Sequence, residues 1–143
     1  MFPAEFINDL RETIGAARAG TVLAALAAEP EVSVRVNPYK LSLSALRAHF
    51  DALAGDPVPW APDEAFYLAE RPSFTRDPLF HAGAYYVQEA SSMYVGRLFE
   101  RAKALLGKDG LRVLDLCAAP GGKTTQLLSQ LPASSVLVAN EVV

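Results

Sequence analysis

Apolar positions along this chain change their period several times, and each change predicts a different element. Phe6, Leu10 and Ile14 recur every fourth residue between acids and arginines, the pattern of an amphipathic helix with Pro3 in its first turn. Gly15 and Gly20 bracket an interruption, after which an alanine-rich helix is expected from Thr21, acting as N-cap, to Ala28. The period then drops to two. In VSVRV, Val32, Val34 and Val36 share one face and Ser33 and Arg35 the other, which predicts a half-buried strand ended by Asn37-Pro38, with Arg35, Asn37 and Lys40 either on a solvated edge or presenting donors to a phosphate backbone. Leu43, Leu46, Phe50 and Leu53 return to helical spacing behind a cap at Ser42 or Ser44.

The middle of the chain is broken by proline. Pro57, Pro59 and Pro62 cannot continue a helix or sit inside a ladder, so Gly55 to Pro62 reads as a loop or short extended segment. Ala65 to Leu68 is a candidate strand, and Arg71 to Pro78 is rich in turn residues. Phe74, Phe80, Tyr85 and Tyr86 alternate there with Arg71, Arg76 and His81, a mixture that suits either unstacked bases or core aromatics beneath a long connection. A helix follows from Gln88 to Leu106, with Ala90, Met93, Val95, Leu98 and Phe99 inward and Arg97, Glu100, Arg101 and Lys103 outward. Two apolar runs, Leu111 to Leu116 and Ser135 to Asn140, then read as buried strands on either side of one more helix.

Composition narrows the classes. With 143 residues, 51% hydrophobic and 20% charged, the chain has the size and balance of about one soluble domain. No apolar run approaches the ~20 residues that span a bilayer, and no secretory leader pattern is visible, so a cytoplasmic location is expected. A single cysteine allows no internal disulfide and, with two distant histidines, no metal cluster. The net charge of −3 gives no electrostatic argument for nucleic acid.

The chemistry concentrates in LRVLDLCAAPGGKTT, Leu111 to Thr125. An apolar strand carrying Asp115 gives way to the small residues Cys117, Ala118, Ala119, Pro120, Gly121 and Gly122, then to Lys123 and a helix. Paired glycines let a backbone approach a ligand closely, and the turn amides with the following helix N-terminus favour a polar or anionic group. A phosphate-wrapping P-loop is the nearest alternative, since Gly122, Lys123 and Thr124 fit its second half. It fails at its first glycine, where Cys117 stands, and Pro120 removes a backbone donor. In βαβ nucleotide sites an acid at the end of the second strand accepts from a ribose diol, and Glu141 stands there, one helix and a short turn later.

DLCAAPGGKTTQ followed by VLVANE closely resembles the cofactor segment of the RsmB/RsmF group of RNA cytosine-5 methyltransferases, relatives of the Nol/Nop/Sun proteins. SVRVNPYK and DPLFHAGAYYVQEASSM resemble the stretches that precede it in that family, and ANE leans toward the RsmF branch. The resemblance implies S-adenosyl-L-methionine as cofactor, with Cys117, Ala118, Ala119, Pro120, Gly121, Gly122 and Lys123 as the first binding loop and Glu141 on the ribose. It implies RNA, small-subunit ribosomal RNA in particular, as substrate and partner, with no membrane and no metal. In the family a cysteine thiolate adds to cytosine C6, C5 takes the methyl group, and loss of the C5 proton expels the cysteine. The family's catalytic cysteines sit in Pro-Cys and Thr-Cys motifs absent here, so Cys117 is expected to line the cofactor cleft and no catalytic residue is assigned.

The expected fold is α/β: a small N-terminal helical and α/β module over residues 1–62, then a connecting segment and the first β-α-β of a Rossmann-like class I methyltransferase domain over 63–143. Only two of that domain's parallel strands are expected here, and the segment alone is expected to be inactive. A non-catalytic nucleoside-binding or RNA-docking module and a degenerate P-loop hydrolase stand as the other classes.

Overall fold

The structure, a computed structural model, describes residues 2–142, which form two compact units divided between Glu31 and Val32. The first unit is a pair of helices, α1 (Ala4–Ile14) and α2 (Ala16–Ala27), separated by one residue, Gly15, whose φ of 82° lies in the left-handed region. Gly20 does not interrupt: it lies within α2, where flanking alanines outweigh the ~1 kcal/mol that one glycine costs. Thr21 is therefore not an N-cap. Its hydroxyl instead donates back to the Ala17 carbonyl from inside the helix.

The second unit opens on an antiparallel sheet in the order β2-β3-β1-β4, built from β1 (Val32–Val36), β2 (Ala54–Pro57), β3 (Ala65–Leu68) and β4 (Tyr85–Val87). β1 is interior, pairing Val34 with Phe66 on one side and Val87 on the other. This overturns the half-buried reading: every residue of β1 is buried, Ser33 and Arg35 included, because both edges and both faces are occupied. Alternation correctly separated two faces but could not say that the polar one would be covered. The boundary expected at residue 62 falls between β2 and β3, which pair with each other.

On the apolar face of β1, Val32, Val34 and Val36 pack with Leu46, Phe50, Phe66, Phe74 and Tyr85. Leu46 and Phe50 come from α3 (Leu43–Phe50), whose N-cap Ser42 accepts from the Ala45 amide at 3.1 Å. Phe74 and Tyr85 are thus core aromatics, unavailable to stack on bases. Asp77 closes this side: as N-cap of the short α4 (Pro78–His81) it accepts from Leu79 N, and its other oxygen accepts from the Tyr85 hydroxyl at 2.6 Å and pairs with His49 Nε2 at 2.8 Å. Burial alone would raise the Asp77 carboxyl; the bonds from Tyr85, His49 and Leu79 together outweigh it and hold the carboxyl below its ordinary value.

A second core joins Val58, Ala61 and Ala65 to Ala90 and Met93 of α5 (Ala90–Leu106), sealed by Trp60, whose indole donates to the Ala90 carbonyl at 2.7 Å. The helix starts two residues later than its apolar pattern predicts, because Tyr85–Val87 is drawn into the sheet and Gln88 N still donates to Ser33 O. Gly107, at φ 56°, terminates it.

β5 (Arg112–Asp115), α6 (Gly122–Gln130) and β6 (Val136–Ala139) complete the unit as a parallel pair joined by a helix, with Asp115 level with Ala139. α6 packs on α5 at Gly96, where a Cβ would collide with the Gln126 amide. The buried Gln126 donates instead to the Met93 carbonyl at 2.9 Å, and Lys103 Nζ donates to the Gln130 carbonyl. The sheet itself is open: Leu114, Leu116, Val136 and Val138 are all more than half exposed.

Candidate functional site

The two parallel strands deliver their carboxyl ends side by side, and the turn after β5 is fixed from within. Asp115 binds both ends of that turn, accepting from Cys117 N at 3.2 Å and from the Thr124 hydroxyl at 2.6 Å. Asn140 holds the other side: its carbonyl accepts from Ala118 N and its side chain donates to the Leu116 carbonyl. The Ala119–Pro120 bond is cis, and Gly121, at φ 104°, occupies a backbone conformation that a side chain would strain. Ala119 N donates to Glu141 Oε2 at 2.9 Å, so the acid after β6 reaches across to the turn after β5. Amides of Val142 and Ala119 hold the exposed Glu141 carboxyl below its ordinary value.

Much of the turn's donor capacity is therefore spent inside the protein. Cys117, Ala118, Ala119 and Gly121 all donate to protein acceptors, and Pro120 has no N–H. The amides that open α6, from Gly122 to Thr124, have no acceptor within the helix and carry the positive end of its dipole. They adjoin a cavity of about 160 Å³ lined by Ala118, Ala119, Pro120, Gly122 and Lys123 on one side and by Tyr86, Gln88 and Glu89 on the other. Cys117 is exposed and lies outside that lining.

Sequence reasoning missed what supports this loop from behind. Arg35 Nε donates to Gln88 Oε1 at 2.9 Å, while its Nη2 donates to the Thr125 hydroxyl at 2.9 Å and the Gly122 carbonyl at 3.3 Å. Gln88 in turn donates to Gln126 Oε1 at 3.3 Å, and its carbonyl accepts from Ser33. A buried polar chain thus runs from the central strand of the first sheet into the first turns of α6. Burial pushes the Arg35 guanidinium below its ordinary value, against the opposing influence of Glu64 and Tyr86. Gly122 abuts this network, its Cβ position lying within ordinary contact distance of Tyr86 at 3.4 Å and Gln88 at 3.5 Å. Two short apolar segments later in the chain, Ala65 to Leu68 and Tyr85 to Val87, were the available signal that β1 would have neighbours on both sides.

Residues 2–90 match the sequence profile of the N-terminal domain of 16S rRNA methyltransferase RsmF. The chain belongs to the RsmF family. Residues 102–143 match the 16S rRNA methyltransferase RsmB/F profile. Ribosomal RNA small subunit methyltransferase F of Pectobacterium carotovorum is 36% identical over 97% of this chain, and that of Aeromonas hydrophila is 41% identical over 76%. The chain spans 29% and 23% of the length of these two RsmF relatives. A methyltransferase homologue from Pyrococcus horikoshii superposes on 96% of the chain and 44% of its own length, with a TM-score of 0.73 and 34% identity. PH0851, at 22% identity and a TM-score of 0.75 over 96% of the chain and 30% of its own, shares the fold. The α/β architecture is that of a Rossmann-like methyltransferase segment preceded by the RsmF N-terminal module. Among the described residues no group of acids, histidines and cysteine is arranged to hold a metal, and no helix is long and apolar enough to cross a membrane.

Proposed function

We propose that this chain is the cofactor-anchoring leading segment of an S-adenosylmethionine-dependent methyltransferase that modifies cytosine C5 in small-subunit ribosomal RNA. The observation that carries the proposal is the bond between Glu141 and Ala119, which joins an acid and a glycine turn at the carboxyl ends of adjacent parallel strands. Ligands of open α/β sheets bind at that position. The residues fit the cofactor: an ionised acid with unused lone pairs suits a ribose diol, and the free amides of Gly122 and Lys123 suit a polar or anionic terminus.

In this reading Cys117 to Lys123 form the first binding loop and Glu141 holds the ribose. When bound, the cofactor supplies an electrophilic methyl group on a sulfonium. The chain's own residues orient it, and Arg35 with Gln88 keeps the opening turn of α6 in register with the loop. Cys117 is not the nucleophile in this reading, since it belongs to the turn that holds the methyl donor rather than to the face from which C6 is attacked. The exposed apolar positions of β5 and β6 support a methyltransferase domain with further parallel strands, because parallel sheets are ordinarily covered on both faces.

A nucleotide hydrolase is disfavoured by the amides already committed within the turn. Isothermal titration on the complete enzyme separates the classes: S-adenosylmethionine binds without magnesium and ATP does not. Magnesium-dependent ATP binding at this loop would overturn the reading, and cofactor binding without methylation of small-subunit RNA would favour a non-catalytic nucleoside-binding module.

A further inference from the structure

A second concavity, of about 260 Å³, lies beside the cofactor loop and is lined by Arg35, Asn37, Tyr39, Lys40 and Tyr86 with part of α6. Two cations and no carboxylate face it, in a chain whose net charge is −3. The arginine is the unusual one. It is 3% exposed, its side-chain acceptors are the neutral Gln88 and Thr125, and no carboxylate stands within ion-pair distance of it among the described residues. A buried guanidinium satisfied by neutral groups leaves a positive potential directed into the groove.

The rim is built to present its groups. Asn37 Oδ1 accepts from Tyr39 N, and its amide donates to the Gly83 carbonyl at 2.9 Å, which pins the loop from both ends. Tyr39 consequently stands 72% exposed, an aromatic face with no packing role. Lys40 Nζ donates to the Ala82 carbonyl at 2.6 Å and has further donors to give. Tyr86 lines this groove and the cavity beside the loop, and its hydroxyl donates to the Pro120 carbonyl at 2.9 Å.

We infer that this groove binds a single-stranded RNA segment next to the modified nucleotide, with one base stacked on Tyr39 and the adjoining phosphate at Lys40, within the positive field of the buried Arg35. The inference rests on the RNA-methyltransferase reading above. At 260 Å³ the concavity is smaller than the ~300–1,000 Å³ of sites that enclose a whole small ligand, which suits one unit of a strand that continues beyond it. An aromatic face beside cations, with no acid, is the usual construction of a single-strand track.

The test uses the complete enzyme and a fluorescent single-stranded oligoribonucleotide of mixed U and C, titrated by anisotropy over a series of salt concentrations. Tyr39→Ala weakens binding roughly 5- to 150-fold, and Tyr39→Phe restores it. Lys40→Gln lowers the slope of log affinity against log salt by about one. Both variants bind S-adenosylmethionine as the wild type does. Wild-type RNA affinity and salt slope in both variants would overturn the groove, as would a wild-type enzyme that binds cofactor but not the oligoribonucleotide. Failure of the wild type to bind cofactor, with Tyr39 and Lys40 still controlling RNA affinity, would instead overturn the enzymatic reading and leave the groove standing. A loss matched equally by duplex RNA, with Tyr39→Ala silent, would remove the stacked base.

Discussion

The carboxylate of Glu141 accepts the amide hydrogen of Ala119 at 2.9 Å, so the strand that follows α6 is stitched to the turn that precedes it. This makes Glu141 a brace for the loop, and in the proposed function the same carboxylate is the acceptor for a ribose. Glu141→Ala is expected to weaken S-adenosylmethionine binding by about tenfold to a hundredfold, with Glu141→Gln recovering part of the loss. Equal affinity in wild type and Glu141→Ala, measured by isothermal titration, would remove the ribose assignment.

Arg35 and Gln88 are expected to act as one unit. Gln88→Leu leaves Arg35 Nε and Gln126 Oε1 without their partner and costs about 2–5 kcal/mol of stability. Arg35→Met costs a similar amount. A double-mutant cycle in urea should give a coupling of about 1–3 kcal/mol, the double variant being less destabilised than the sum. Strict additivity would mean that the two side chains do not share a network.

At Gly96 of α5, the Gln126 side chain of α6 occupies the space that a Cβ would take. Gly96→Val forces the Gln126 amide away from the Met93 carbonyl, and the thermal midpoint should fall in proportion to a loss of about 1–3 kcal/mol. An unchanged midpoint would show that α6 can retreat at no cost.

Asp77 makes stability depend on acid. Its folded-state carboxyl titrates below the ordinary value of 3.8, so its contribution is complete above that value and disappears as pH falls through the lower, folded one. Urea midpoints of wild type and Asp77→Asn should differ at neutral pH, and the gap should begin to close only below 3.8, converging as pH falls through the folded-state value beneath it. A gap that persists into strong acid would assign the effect to packing.

Cys117→Ala is expected to retain most of the methyl-transfer rate of the complete enzyme, and the exposed wild-type thiol should react readily with a disulfide reagent in the folded protein. Normal cofactor binding with turnover abolished, and with no covalent trapping on 5-fluorocytosine RNA, would make Cys117 the nucleophile.

The strand, turn and helix around Cys117 to Lys123 were legible in sequence because their signals are local: an apolar run, glycines, a lysine. Glu141 was legible through its place after the second strand. Arg35 and Gln88 were not, since an arginine alternating with valines has the same pattern on a wet edge as in a central strand, and only the pairing of β3 and β4 with β1 distinguishes them. β4, at three residues, is too short to show a period, and its absorption into the sheet moved the start of α5. The Thr21 cap failed for a related reason: the alanines before Gly20 and the good helix formers Leu23, Ala24 and Ala25 after it sustain a helix through it.

The Arg35 chain also limits how this segment can be recombined among relatives. A chimaera joined between β4 and β5 takes Arg35 and Gln88 from one parent, Gly122, Thr125 and Gln126 from the other, although nearly ninety residues separate Arg35 from Gly122. Such a crossover requires both parents to agree on the same donors and acceptors, and on the packing of α5 against α6 at Gly96, so the inheritable unit is wider than either sheet.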